Sequence, residues 1–307
     1  MASLLVVRPG ILTTVQDLGR WGWQGSGVPV AGPMDAYSHR LANRLVGNPD
    51  AAAALEVTLI GPELEAEGAI VCAVTGGAFA LEVDGRPVEM HRPFDVRPGG
   101  RLRFGPRASG ARAALAVRGG FDLPMIFGSR ATSVVSRMGP VEGRALAAGD
   151  RLPVCGMCGP GAQRPGKPLR VPPGGARLRV VMGPHDIGFT DEAIATLLHS
   201  RFLVTPQSNR MGYRLEGPAL AHRGAAEILS DATPMGSLQV PASGQAILLM
   251  ADRQTTGGYP KIATVISADL PLAGQLAPGD WVEFASCTRE AAVETLRVLE
   301  ARLAGSP

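Results

Sequence analysis

Short apolar runs separated by turns containing Gly and Pro dominate the hydrophobic pattern of this chain. Runs of strand length bounded by turn residues are typical of β-strands. They predict strands at 4–7, 69–75, 79–83, 102–104 and 113–117, and again at 178–182, 201–205, 246–250, 262–266 and 281–284. The pattern therefore predicts a mainly β protein with a few helices.

Three segments instead show helical spacing of apolar residues. The first covers 35–46 and the second covers 190–198, where Thr190 is the expected N-cap. A third helix is expected after Thr288, with an apolar stripe that packs on the core or, alternatively, forms a partner surface: Val293, Leu296, Leu299 and Leu303.

The segment 155–175 is crowded with Gly and Pro and has no periodicity, so it is the best candidate for a domain boundary. The prediction is an N-terminal β-barrel domain over 1–160, a linker over 161–176, and a C-terminal β-barrel domain with a terminal helix over 177–307. Short echoes support two related barrels, such as Gly61-Pro62 in the first half and Gly217-Pro218 in the second.

Composition narrows the class of protein. The 307 residues carry a formal net charge of +3, too small to favour nucleic acid as a partner. The N-terminus lacks a charged segment followed by a long apolar stretch, which argues against a signal peptide. Because every apolar run is strand-sized, we expect a soluble cytoplasmic protein without a membrane span.

Lysine is rare, since Lys167 and Lys261 are the two lysines among 30 basic residues. Lys261 ends a polar cluster, 252–261, that separates the apolar runs 246–250 and 262–266. Polar groups between buried strands are costly unless they pair with one another or with a ligand. The stretch 230–269 is therefore predicted to hold a functional site.

Two other motifs are rejected as sites. Gly161 to Lys167 spells GxxxxGK, but Pro168 replaces the Ser or Thr that would hold Mg²⁺, and no strand leads into the segment. Cys155 and Cys158 form a CxxC pair without a second ligand pair that would complete a zinc site. No metal site is predicted, and no nucleotide motif is recognisable.

Five motifs resemble the biotin-dependent carboxyltransferase family, also called the allophanate hydrolase subunit 2 or KipA-like family. They are TTVQDLGR from Thr13, PMDAYSHRLANRLVGN from Pro33, LEVTLIGP from Leu55, SNRMGYRLEGP from Ser208, and the stretch from Ser230. The resemblance covers nearly the whole chain and implies two cyclophilin-like β-barrels. One departure is Ser133, where relatives usually carry an aromatic residue, followed by an altered glycine-rich loop at Met138-Gly139-Pro140.

The resemblance implies one component of an enzyme complex. Its best-defined bacterial role is the C-type subunit of the ATP-dependent 5-oxoprolinase, an amidohydrolase that opens 5-oxo-L-proline to L-glutamate. The implied partners are the B-type subunit, which is KipI-like, and the A-type subunit, which is LamB/YcsF-like. ATP would be used by the complex, and the isolated chain is expected to be inactive.

Two alternatives remain open. The chain could be a biotin-dependent carboxyltransferase of the urea carboxylase or allophanate type. Biotin would then arrive on another protein, because neither lysine lies between methionines. The chain could also be a non-enzymatic KipA-like protein that binds a KipI-type kinase inhibitor.

Candidate site residues follow from the chemistry of lactam opening. Lys261 is expected to stabilise developing negative charge, and Asp252 to orient Lys261 or act as a base. The substrate-binding candidates are Gln254, Thr255, Thr256, Gly257 and Gly258, together with Gln239 and Arg210.

Overall fold

The computed structural model describes residues 2–156 and 166–305, which fold as two compact units. The first unit comprises 2–20, 31–156, 166–171 and 301–305, and the second comprises 21–30 and 172–300. Cys158 of the CxxC pair and residues 161–165 of the predicted linker lie outside the described residues.

A strongly curved β-sheet forms the first unit, with strand order β2-β3-β8-β4-β1-β9 and with β5 pairing β6, β7 and β8. A single helix, α1 (Ala36–Leu45), packs against β3, β5 and β8 in this described part of the chain. The strands are β1 (Ser3–Arg8), β2 (Leu12–Gln16), β3 (Ala54–Thr58), β4 (Glu63–Ala66), β5 (Ile70–Val83), β6 (Arg86–Pro87), β7 (Pro93–Val96), β8 (Arg101–Val117) and β9 (Arg151–Pro153).

A closed barrel forms the second unit, with strand order β10-β17-β14-β15-β12-β11-β18. Closure comes from the parallel pairing of β10 with β18. The strands are β10 (Gly175–Met182), β11 (Arg201–Val204), β12 (Gly212–Glu216), β13 (Asp231–Ala232), β14 (Ser237–Gln239), β15 (Ile247–Leu249), β16 (Thr256–Gly257), β17 (Lys261–Val265) and β18 (Trp281–Ser286). The helices are α2 (Asp191–His199), α3 (Leu270–Gly274) and α4 (Arg289–Leu303).

The prediction of a mainly β, barrel-based fold is confirmed. The runs predicted at 69–75 and 79–83 belong to one long strand, β5, and those at 102–104 and 113–117 both belong to β8. The pairing of β5 with β8 shifts register between Gly76 and Leu81, which marks β-bulges. A bulge lets a strand bend while its pairing continues, so two apolar runs with a break between them form one curved strand.

The predicted helix starts are confirmed by their caps. The Asp35 carboxylate accepts a hydrogen bond from the Ser38 N–H at 2.8 Å, and the Thr190 hydroxyl accepts one from the Ala193 N–H at 3.1 Å. At α4 the Thr288 hydroxyl accepts from the Ala291 N–H at 3.2 Å. These bonds satisfy N–H groups that have no partner within the helix.

The apolar stripe of α4 is only partly buried. Leu303 is fully buried and Val293 is 49% exposed, while Leu296 and Leu299 are intermediate. The expected core packing therefore applies to the C-terminal end of the helix alone. None of the helices in the described residues has both the length and the hydropathy to span a bilayer.

Candidate functional site

A cavity of about 230 Å³ lies on the outer wall of the barrel, beside β12, β14 and β15. Side chains alternate along these strands, and the paired residues Tyr213 and Leu248 are buried inside the barrel. Outward residues and two loops line the cavity: Gln207, Asn209, Met211, Gly212, Arg214, Gln239, Ile247, Leu249, Gln254 and Tyr259. Of the predicted site residues, Gln239 and Gln254 line this cavity.

The polar chemistry of the lining is dominated by carboxamides. Gln207, Asn209, Gln239 and Gln254 each carry a group that both donates and accepts hydrogen bonds. Arg214 adds a guanidinium, and none of the ten lining residues carries a carboxylate. The lining therefore suits an amide group or a single negative charge and disfavours a cation.

Gln239 and Gln254 form a pair of amides at the cavity. Gln254 Nε2 donates to Gln239 Oε1 at 3.2 Å, and Gln239 is 1% exposed. A Cβ atom at Gly257 would lie 2.6 Å from Gln239 Nε2 and 3.1 Å from Gln254 Nε2. Glycine at 257 thus leaves the space that the amide pair occupies.

A two-stranded ribbon, formed by β13 and β16 with their flanking residues 228–233 and 254–259, lies outside the barrel sheet. The Thr233 N–H donates to the Thr255 carbonyl at 3.1 Å, and the Ile228 N–H donates to the Gly258 carbonyl at 2.8 Å. The candidates Thr255, Thr256 and Gly258 lie in this ribbon and are not lining residues of the cavity. Their assignment to substrate binding stays a prediction.

Lys261 fastens the ribbon to the barrel from the first position of β17. The side chain is 2% exposed, and its Nζ donates to Asp231 Oδ2 at 2.6 Å and to the Ala232 carbonyl at 2.8 Å. A buried ammonium requires such a counter-ion. The hydrogen bond from Lys261 also holds the pKa of the Asp231 carboxyl below its usual value.

Arg210 and Asp252 form a buried ion pair elsewhere in the same unit. Arg210 Nε lies 3.0 Å from Asp252 Oδ2, and Nη2 lies 3.0 Å from Oδ1. The Asp252 N–H also donates to the Arg210 carbonyl at 2.8 Å. Side chain and backbone together join the loop before β12 to the turn after β15.

The expectation that Asp252 orients Lys261 is therefore wrong. The carboxylate of Asp252 faces Arg210, while Asp231 binds the ammonium of Lys261. Sequence proximity suggested the wrong acid, because pairing of β13 with β16 brings residue 231 to Lys261 across 30 residues.

Several residues at the site were missed by sequence reasoning. Asp231 and Tyr259 fall within the stretch 230–269 but were not assigned a role, and Gln207, Asn209 and Arg214 flank or belong to the SNRMGYR motif. A buried lysine requires a counter-ion, and this requirement could have identified the acids near Lys261 as candidates.

His185 contacts the backbone of Lys261 from the loop after β10. The Lys261 N–H donates to His185 Nδ1 at 3.3 Å, and the His185 N–H donates to the Lys261 carbonyl at 3.4 Å. The two bonds hold this loop against the first residue of β17, which gives His185 a supporting role for the site.

Asp17 and Arg20, which belong to the TTVQDLGR motif of the first unit, have a structural role. The Asp17 carboxylate accepts hydrogen bonds from the Gly19 N–H at 2.9 Å and from the Ser129 hydroxyl at 2.6 Å. Arg20 Nε donates to the Ile126 carbonyl at 3.1 Å. These bonds tie the segment after β2 to the loop at 126–132.

No cluster of three or more His, Cys, Asp or Glu side chains suited to a metal ion occurs among residues 2–156 and 166–305. The rejected GxxxxGK segment begins at Gly161, outside the described residues, and its last residue, Lys167, is exposed.

Comparison with known proteins gives consistent matches. The sequence model of a family described as "Carboxyltransferase domain, subdomain A and B" matches residues 26–286. The chain is 38% identical to the C subunit of 5-oxoprolinase from Escherichia coli over 293 residues, which is 95% of this chain and 93% of that protein. It is 35% identical to the C subunit of 5-oxoprolinase from Haemophilus influenzae, over 92% of this chain and 91% of that protein.

A solved structure shares the fold over nearly the whole chain. The crystal structure of urea amidolyase from K. lactis matches with a TM-score of 0.92 and 30% identity, covering 99% of this chain. The matched part is 20% of that longer chain.

Proposed function

The chain belongs to the carboxyltransferase domain family, subdomains A and B, and we propose that it acts as the C-type subunit of an ATP-dependent 5-oxoprolinase. The observation that carries this proposal is the nearly end-to-end match with the C subunit of the Escherichia coli 5-oxoprolinase. The carboxamide-rich cavity supports it, since a lactam presents one N–H donor and one carbonyl acceptor.

The proposed complex is cytoplasmic and includes a KipI-like B-type subunit together with a LamB/YcsF-like A-type subunit. ATP would activate the lactam carbonyl in the complex. Pro168 replaces the Ser or Thr that would follow the GxxxxGK of a phosphate-binding loop, so we assign ATP binding to a partner protein.

Within this proposal, the residues of the cavity have separate roles. Gln239 and Gln254 hold the lactam amide by hydrogen bonds, and Arg214 pairs with the substrate carboxylate. Lys261, which lies outside the lining and is paired with Asp231 in this structure, is assigned to stabilise the negative charge on the carbonyl oxygen or its phosphoryl group as water adds to the carbon. The C–N bond then breaks and the nitrogen gains a proton to become the amine of glutamate. A second water hydrolyses the acyl phosphate that remains, which completes the glutamate carboxylate and releases inorganic phosphate.

Asp252 is assigned a positioning role and not that of a base. Its side chain is 1% exposed and both oxygens accept hydrogen bonds from Arg210. A carboxylate buried and paired in this way is not accessible to substrate. The Arg210–Asp252 pair instead fixes the loop that carries Gln207 and Asn209.

The test is reconstitution of the complex. The chain is co-purified with the B-type subunit, the A-type subunit is then added, and glutamate release from 5-oxo-L-proline is measured with and without ATP. The proposal expects ATP-dependent release only when all three proteins are present. Assembly of the three proteins without any glutamate release would contradict it.

Carboxyl transfer is the second candidate, favoured by the structural match to urea amidolyase. In that case biotin on a carrier protein would donate the carboxyl group, and the same cavity would hold a ureido or amide acceptor. Supplying a biotin carboxylase, a biotinylated carrier and urea separates the two candidates, because only a carboxyltransferase would consume carboxybiotin. Binding to a KipI-like protein without turnover in either assay would instead favour a regulatory protein.

A further inference from the structure

The ammonium of Lys261 is paired with a carboxylate of the same chain, that of Asp231, in the ribbon whose residues Gln254 and Tyr259 line the cavity. The backbone of Lys261 pairs with Gln239, which lines the cavity. The carboxylate oxygen Oδ2 of Asp231 lies 2.6 Å from Lys261 Nζ and serves as its counter-ion. An ammonium has three N–H donors, and two of them have acceptors among the described residues, namely Asp231 and the Ala232 carbonyl.

Asp231 is held less firmly than Asp252, the other acid of the site. Its side chain is 52% exposed, whereas that of Asp252 is 1% exposed and held by two hydrogen bonds from Arg210. Asp231 also belongs to a short two-stranded ribbon outside the barrel, and an isolated ribbon of this kind is marginally stable. The carboxylate can therefore move into solvent without exposing the barrel core.

The surroundings favour an incoming anion. The cavity lining contains the guanidinium of Arg214 and no carboxylate, so its charge attracts negative groups. Gln239 joins the cavity to Lys261 through the pairing of β14 with β17. The ribbon that carries Asp231 also supplies Gln254 and Tyr259 to the cavity lining, so an oxyanion bound there meets the same ribbon that holds Asp231.

We propose that Asp231 is an internal counter-ion that a ligand oxyanion, a carboxylate or a phosphate, displaces from Lys261. The ion pair compensates the charge of the buried ammonium until a ligand binds. On displacement, the ammonium of Lys261 pairs with the ligand oxyanion and the Asp231 side chain turns toward solvent. This inference rests on the proposed function only in placing Lys261 at the substrate site.

Lysine scarcity makes the displacement directly measurable. The full chain contains Lys167 and Lys261 and no further lysine, so selective labelling with ¹³C and ¹⁵N lysine gives two side-chain NMR signals. The variant Lys167→Arg assigns them, and Lys167, which is exposed, serves as the internal reference. Inorganic phosphate and acetate are titrated separately, which distinguishes the two sources of the oxyanion.

We expect the Lys261 signal to shift on addition of at least one of the two anions while the Lys167 signal stays constant. The variant Asp231→Asn removes the competing charge and should lower the anion concentration at half-saturation several-fold. The control Thr233→Val removes the hydrogen bond from the Thr233 hydroxyl to the Gln254 carbonyl. It loosens the ribbon but keeps both charges of the ion pair, so any gain in anion affinity should be smaller than that of Asp231→Asn.

Three results would overturn the proposal. The first is that the Lys261 signal of Asp231→Asn responds to neither anion. The second is that wild type and Asp231→Asn bind the anion with equal affinity. The third is that Thr233→Val gains as much anion affinity as Asp231→Asn. Because anion binding is measured on this chain without partners or turnover, its failure is distinguishable from failure of the reconstituted 5-oxoprolinase assay.

Discussion

Arg210 and Asp252 meet through two parallel hydrogen bonds, Nε to Oδ2 and Nη2 to Oδ1, each 3.0 Å long. Both side chains are buried, at 5% and 1% exposure. The pair joins two loops at the rim of the cavity, so its geometry determines where the lining residues of those loops lie. It is the most completely buried ion pair at the candidate site, among the pairs that the described residues form.

Breaking this pair should destabilise the second unit strongly. Asp252→Asn replaces the carboxylate of this buried ion pair by a neutral amide, and breaking a buried pair typically costs about 3–5 kcal/mol. Urea denaturation measures the free energy of unfolding. The double variant Arg210→Met/Asp252→Leu is the matched control, and it should lose less than the single variant because no uncompensated charge remains. Equal losses in the two proteins would show that the pair is not held as described.

Gly257 and Gly258 should differ sharply in their tolerance of alanine. A methyl group at 257 would overlap Gln239 Nε2, whereas at 258 the nearest atom, the Ile228 carbonyl oxygen, is 3.4 Å away. Gly257→Ala is therefore expected to displace the amide pair and raise the KM for the amide substrate in the reconstituted complex. Gly258→Ala is the neighbouring comparison and should raise KM less than Gly257→Ala, because its added methyl group meets no atom closer than 3.4 Å. If both substitutions behave alike, the amide pair does not contact substrate.

Lys261 should be irreplaceable even by arginine. Lys261→Gln is expected to lower kcat of the complex by roughly 10²-fold or more, because a donor to the developing oxyanion is lost. Lys261→Arg should not restore activity, since the planar guanidinium does not fit the buried site of a compact ammonium. Gel filtration with the partner proteins checks assembly.

The other lysine provides the control for this prediction. Lys167→Arg changes an exposed side chain of the first unit and should retain full activity. Wild-type turnover by Lys261→Gln in an assembled complex would remove Lys261 from the mechanism.

The first unit should lose stability in mild acid because of His39. Burial lowers the pKa of His39 to about 4, while in the unfolded chain it is near 6.5. Between these values the unfolded chain binds a proton that the folded chain does not. Stability is therefore fully present above about pH 6.5 and falls as the pH drops toward 4, by about 3 kcal/mol.

Denaturation of wild type and His39→Gln across this pH range checks the prediction. The variant should show a flatter dependence of the free energy of unfolding on pH. An unchanged slope in His39→Gln would exclude His39 as the cause.

Local patterns in the sequence were sufficient for much of the fold. Apolar runs located strands in both units, and Asp35, Thr190 and Thr288 located the helix starts, because a cap and its first turn are neighbours in sequence. The breaks between runs in β5 and β8 were misinterpreted as strand ends, since a bulge and a turn both interrupt an apolar run.

The site was predicted less completely. The cost of burying polar groups located the stretch 230–269, and within it Gln239 and Gln254 do line the cavity. Sequence alone could not identify Asp231 as the partner of Lys261, because ion pairs depend on which strands pair and sequence spacing carries no such information. It likewise offered no reason to assign Arg214, whose outward position follows from the alternation along β12.

By itself, the sequence determined the fold class, the family and the neighbourhood of the site, since all three depend on periodicity and contiguous motifs. The tertiary structure decided which charges meet: Asp252 with Arg210 in the buried loops, and Asp231 with Lys261 at the ribbon. The physical reason is that a buried charge is stabilised by the nearest opposite charge in space, and only the paired strands establish that distance.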